Sequence, residues 1–163
     1  MLDFETPHGA CRLRDATSAD AGFQRDLFHA RHAAMLRAGG LPEAMIDNLA
    51  SMQYRARTIS YREKYPSARW SIIEAADGPI GELIACEQAD ALHIVDIALA
   101  PEWRGRGVGG ALMRAIVASR RGVGDVRALV ALDNPRSRRM FDRVGFIETW
   151  RDDVFAELRW RAP

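Results

Sequence analysis

The segment Trp103-Arg104-Gly105-Arg106-Gly107-Val108-Gly109-Gly110 constrains this chain more than any other stretch. It lies between an apolar run ending at Leu99-Ala100-Pro101 and a helical pattern that begins near Val108. Glycines there permit positive φ and close approach of the main chain to a ligand. A helix N-terminus just beyond aims unpaired amides at whatever lies in front of it. Strand, glycine turn and helix together make an anion cradle, suited to phosphate.

The charge distribution supports that reading. The whole chain of 163 residues carries a formal charge of only +1. From Arg104 to Arg143, however, ten arginines face three acids (Asp125, Asp133 and Asp142), about +7, which leaves about −6 on the rest. A basic half built around a glycine turn suits a polyphosphate ligand, whereas the near-neutral total argues against a dedicated nucleic-acid binder. Cys11 and Cys86 have neither metal-type nor redox spacing, so no metal is expected and a reduced compartment fits best. The N-terminus lacks a basic segment followed by an apolar one, and no apolar run reaches membrane-spanning length. The expected location is cytoplasmic, with no membrane partner.

The length suits one domain over 1–163. Cys11–Ala16 alternates and reads as a first strand. Thr17 and Ser18 cap a helix with apolar positions Phe23, Leu27, Ala30 and Ala34, closed at Gly39-Gly40. Pro42 opens a second helix with the stripe Met45, Ile46, Leu49, Met52, Ala56 and Ile59, ending near Pro66. Runs on either side of Asp77-Gly78 predict a hairpin, and Leu92–Ala100 a central strand. A helix from Val108, a strand over 126–132, a short helix from Asn134 to Gly145 and two final strands complete the pattern. The order β-α-α-β-β-β-α-β-α-β-β predicts an α/β (α+β) fold, a mixed, mostly antiparallel sheet with helices on both faces.

Two families of ligand fit the turn. Gly105, Gly107 and Gly110 satisfy G-x-G-x-x-G, so a dinucleotide-binding oxidoreductase is one reading. Four residues separate strand from first glycine, however, and hairpin-rich flanks do not resemble repeated βαβ units. Arg104-x-x-Gly107-x-Gly109 resembles the R/Q-x-x-G-x-G/A signature of the GNAT N-acetyltransferases. The resemblance extends to Leu99-Ala100-Pro101 upstream. Downstream, Asn134, Ser137, Met140-Phe141 and Val144-Gly145-Phe146 are similar to that family's N-x-x-A-x-x-L-Y-x-x-x-G-F segment.

That resemblance implies an enzyme moving an acetyl group from acetyl-CoA to a primary amine of a small molecule or peptide. By it, Ile97, Ala98 and Leu99 pair with the pantetheine arm. The segment Arg104, Gly105, Arg106, Gly107, Val108, Gly109 and Gly110 holds the pyrophosphate, and Asn134, Ser137 and Phe141 line the far side. Asp96, which interrupts an apolar strand, is the candidate general base, with Glu82 and His93 as rivals. Phe141 stands where many members carry a tyrosine acid, so the leaving thiolate takes its proton either from solvent or from Tyr54, Tyr61 or Tyr65. The missing tyrosine also favours an alternative, a GNAT-fold sensor that binds acyl-CoA without much chemistry. The acceptor is expected against residues 18–66, and exposed C-terminal strands could support a homodimer.

Overall fold

The computed structural model describes residues 1–162. Eight strands form one sheet: β1 (Leu2–Thr6), β2 (Gly9–Asp15), β3 (Arg69–Ala75), β4 (Gly78–Glu87), β5 (Ala91–Leu99), β6 (Asp125–Ala131), β7 (Ile147–Arg151) and β8 (Phe155–Trp160). Four helices accompany them: α1 (Ala21–Ala38), α2 (Glu43–Lys64), α3 (Val108–Ser119) and α4 (Pro135–Val144). The spatial order is β1-β2-β3-β4-β5-β6-β8-β7, and every neighbouring pair is antiparallel except β5 with β6. This is the mixed, mostly antiparallel architecture that the residue pattern predicts.

The two faces of the sheet are covered differently. On one, α3 and α4 bury Val108, Leu112, Met113, Ile116 and Phe141 against Ile73, Leu83, Ile94, Val126 and Leu158. On the other, α1 and α2 join through Ala33, Leu36, Ile46 and Ala50 and cover the fully buried Ile72 and Ile84 together with a polar cluster at Glu82 and Asp96. Asp20 fixes the start of α1. Its carboxylate accepts from both Nη atoms of Arg14 at 2.9 and 2.8 Å and from the Thr17 N–H at 2.8 Å. The Arg14 guanidinium holds this carboxyl well below the usual range despite its burial.

Three expectations need correction. An additional strand, β1, precedes the expected first one and pairs with β2 across a turn at Gly9, whose φ is +105°. In α1, Ala30 and Ala34 are exposed, and Phe28, Ala33 and Leu36 join Leu27 in the interior. In α2 only part of the anticipated stripe points inward: Ile46 is buried and Leu49 packs beside it, but Met45, Met52 and Ile59 are 57%, 66% and 58% exposed. Beside Ile46 the helix turns Ala50, Arg57 and Tyr61 inward, with Arg57 as the counter-charge to two acids on the sheet.

One irregularity positions the site. Ile84 pairs with Asp96 but Ala85 with Ile94, so Val95 is an extra residue in β5. A bulge bends its strand and re-aims the side chains that follow. Ile94 lies in the core under α3, whereas Asp96 reaches Arg57 on α2. Regular alternation would have put both on one face. Pairing of β5 with β6 ends at Ile94 and Ala128, at this bulge. On the other edge β5 stays tight against β4: a Cβ on Gly81 would lie 2.5 Å from the Ala98 carbonyl oxygen.

Gly81→Ala therefore costs about 1–3 kcal/mol through forced displacement of β5, measured by urea unfolding. Gly22→Ala, where a Cβ meets nothing within 4 Å, leaves stability equal or higher. Asp20 contributes stability above the ordinary aspartate range that is lost as pH falls through its depressed native value. Asp20→Asn therefore lowers the melting temperature at pH 7, and the difference from the native chain shrinks below about pH 4.

Candidate active site

Below the bulge, β5 and β6 separate and leave a wedge. Residues 95–99 of β5 and 129–131 of β6 line it, and the start of α3 and one face of α4 close it, in a cleft of about 790 Å³. The residues of β5 after Ile94 have no strand partner on the β6 side. Their main-chain groups on that edge can thus serve an extended, amide-bearing ligand.

The glycine turn forms the floor. A single 3₁₀ turn, Pro101–Trp103, follows β5, and Gly105 and Gly107 then adopt φ of +77° and +83°. Such angles are strained for any side-chain-bearing residue. Gly107 is the N-cap of α3, and its carbonyl accepts from the Ala111 N–H at 2.9 Å. The preceding amides of the first turn are left to face the cleft. At Gly109 an added Cβ would lie 2.9 Å from the Met140 sulfur, so glycine here lets α3 approach α4.

Arg104 stands at the junction. Its Nε donates to the Leu99 carbonyl at 2.8 Å, tying the turn to the end of β5. Burial, followed by the nearby Arg31 and Arg136, lowers its pKa. An anion in the cleft would relieve both effects. Arg106 lies outside the cleft, exposed, with its guanidinium 5.7 Å from the Trp103 ring centroid. Asn134 caps α4, its side-chain oxygen accepting from the Ser137 N–H at 3.1 Å, and Gly145 closes the helix at φ +99°. Asn134, Ser137 and Phe141 all line the cleft, Phe141 stacking edge-on against Phe146 at 4.9 Å.

The three candidate bases occupy different places. Asp96 lines the cleft; its Oδ2 accepts from Arg57 at 2.7 Å and its Oδ1 lies 3.6 Å from Arg31. Glu82 is almost fully buried behind it. It is held by Arg57 at 2.8 Å and Gln24 at 2.5 Å in a niche that adjoins Asp96. His93 lines neither space. It is buried against Tyr65, with a pKa lowered by that burial and then by Arg127 and Lys64. Burial also works against the charge on Arg57, but the attraction of Asp96 and Glu82 prevails and holds it ionised. Among the three tyrosines only Tyr61 lines the cleft, and burial, then Asp96, raises its phenol. Tyr54 packs on Phe28 and Tyr65 on His93.

Arg31 and Arg57 were not anticipated as site residues. The only sequence signal for Arg57 was its position on the face of α2 shared with Ile46, Ala50 and Tyr61.

A family model for the GNAT acetyltransferases matches residues 41–146, which include the whole turn and both walls of the wedge. The chain belongs to the GNAT family of acetyltransferases. Membership makes it an acetyl-CoA-dependent N-acetyltransferase and sets aside the oxidoreductase reading. Solved structures share the fold at low identity. The PaiA N-acetyltransferase from Thermoplasma acidophilum, in complex with coenzyme A, is 16% identical with a TM-score of 0.66, covering 93% of this chain and 98% of that one. An acetyltransferase from Thermus thermophilus is 19% identical, TM-score 0.67, covering 93% and 96%. A spermidine N-acetyltransferase from Vibrio cholerae, solved with CoA and spermine, is 18% identical, TM-score 0.63, covering 93% and 95%. No curated protein sequence matches the chain. Among the described residues no helix is long and apolar enough to cross a membrane.

Arg104→Gln removes a charged donor worth about 1.5–3 kcal/mol, so CoA binding weakens by about 10- to 100-fold in calorimetry. Arg106→Gln changes it by less than about threefold, as expected for an exposed charge outside the cleft.

Proposed function

We propose that this acetyltransferase transfers an acetyl group directly to a primary amine that enters the wedge beside Asp96. The observation that carries the reading is that Asp96 is the one carboxylate lining the cleft among the described residues, on the strand whose free edge faces the cofactor space. Ile97, Ala98 and Leu99 hold the pantetheine arm through their main chain. Amides from Gly105 to Gly110, with Arg104, hold the pyrophosphate, and Asn134 and Ser137 line the opposite wall. Acetyl-CoA supplies the activated thioester carbonyl.

The acceptor arrives mostly as an ammonium if its pKa is near about 10. Asp96 Oδ1, left free by the Arg57 bond to Oδ2, orients that ammonium and takes its proton. The free amine then attacks the carbonyl carbon; the N–C bond forms, the nitrogen gives up its second proton to water, which restores the one Tyr61 donates, and the C–S bond breaks with its electron pair leaving on sulfur. Tyr61, whose phenol stays protonated through neutral pH, gives its proton to the departing sulfur. Phe141 cannot do so. Its buried ring packs against Phe146. Glu82 and Gln24 secure Arg57 and so the position of Asp96.

The test follows release of CoA thiol across a panel of primary amines. Turnover establishes the reading; tight CoA binding without turnover of any amine assigns the chain instead to acyl-CoA sensing. Asp96→Asn lowers kcat by about 10²-fold or more, as for loss of a proton-transferring group. Tyr61→Phe lowers it less, because a thiolate of thiol pKa about 8.5 leaves without much help near neutrality.

A further inference from the structure

Beside Asp96 the cleft carries one cation that comes from a different element than the phosphate cradle. The turn, α3 and α4 supply five arginines to the cleft, on the side of the phosphate cradle. Among these arginines Arg31 alone comes from α1, and it lies next to Asp96. Its side chain is 48% exposed, and its Nη1 lies 3.6 Å from Asp96 Oδ1, too far for a hydrogen bond. By contrast Arg57 is 12% exposed and spends one Nη2 on both Glu82 and Asp96, at 2.8 and 2.7 Å.

Counting charges across this wall, Glu82, Arg57 and Asp96 sum to one negative charge, and Arg31 cancels it. The entrance to the amine position is thus a dipole, with the carboxylate of Asp96 inside and the free fork of Arg31 outside. A simple cation gains from Asp96 and is repelled by Arg31. A polyamine fares worse, since its further charges meet the arginines of the cleft with no acid to receive them. A ligand carrying both signs fits: ammonium on Asp96, anion on the guanidinium, which binds a carboxylate through two parallel donors.

We propose that the acceptor is a zwitterionic amine, an α-amino acid or an amine with a carboxylate one or two carbons away, whose carboxylate is bound by Arg31. This rests on the acetyltransferase reading above. Arg31 is a specificity-determining residue in it and takes no part in the proton transfers.

The test uses the full chain with acetyl-CoA and measures thiol release for free amino acids, each beside its own carboxamide, and for spermidine. The expected result is a kcat/KM at least about tenfold higher for an amino acid than for its amide, the scale of one hydrogen bond to a charged group. Arg31→Gln then brings the ratio close to one by raising KM for the amino acid, with the amide unchanged and the melting temperature preserved. Three results overturn the proposal while leaving the acetyltransferase reading intact. They are preference for amides, preference for spermidine, or an Arg31→Gln variant that slows acid and amide equally and weakens CoA binding. Turnover of no amine at all overturns that reading itself, and this inference with it.

Discussion

The site depends on a strand that stops pairing with its neighbour part-way along. One surplus residue, Val95, ends the β5–β6 ladder at Ile94 and puts Asp96 on the opposite face from the core. Everything else is arranged around that break. The glycine turn fills the bottom of the wedge, α4 roofs one side, and α1 with α2 covers the face to which Asp96 has been turned. A continuous parallel ladder would have satisfied the main chain of β5 and left a closed sheet with no cleft.

The second organising element is the ion pair cluster under α2. Burying Arg57, Glu82 and Asp96 together is costly to desolvate, and such clusters are poor evidence for stability. Their effect here is positional. Arg57 is surrounded by the rings of Phe28, Tyr61 and Trp70 at 5.0–5.6 Å, so its guanidinium is fixed on all sides. It in turn holds one oxygen of Asp96 and leaves the other toward the cleft. It also sets the rotation of α2, which carries Tyr61 into the cleft and leaves Met45, Met52 and Ile59 facing outward.

Features governed by local backbone chemistry were legible in the sequence. The glycines at 105 and 107 need their left-handed angles, Asn134 caps α4 and Gly145 ends it, and the hairpin turns at the place marked by Asp77-Gly78. Nearly all the expected cofactor residues line one cleft, because they lie on a contiguous strand, turn and helix; Arg106 is the exception. Features decided by tertiary pairing were not. No residue type announces a bulge at Val95, and without it the face of Asp96 cannot be assigned. Met45, Met52 and Ile59 of α2 read as core because periodicity weighs Met and Ile as core residues. It cannot register that two distant carboxylates will claim the arginine on the other side. The short strand β1 is illegible for a similar reason: Leu2 and Phe4 alternate over too few residues to count until β2 is there to pair with them.

The unpaired margin of β5 has one more consequence. A sheet edge is ordinarily a hazard, since it offers its amides and carbonyls to any passing strand. Here the edge lies inside a cleft lined by α3, α4 and the far branch of β6 rather than on the margin of the sheet. Under the proposed mode of binding through main-chain atoms, side-chain identity along 97–99 is bounded only by bulk. That segment can drift in sequence while its grip on a ligand stays the same, and the walls around it are free to change what is acetylated.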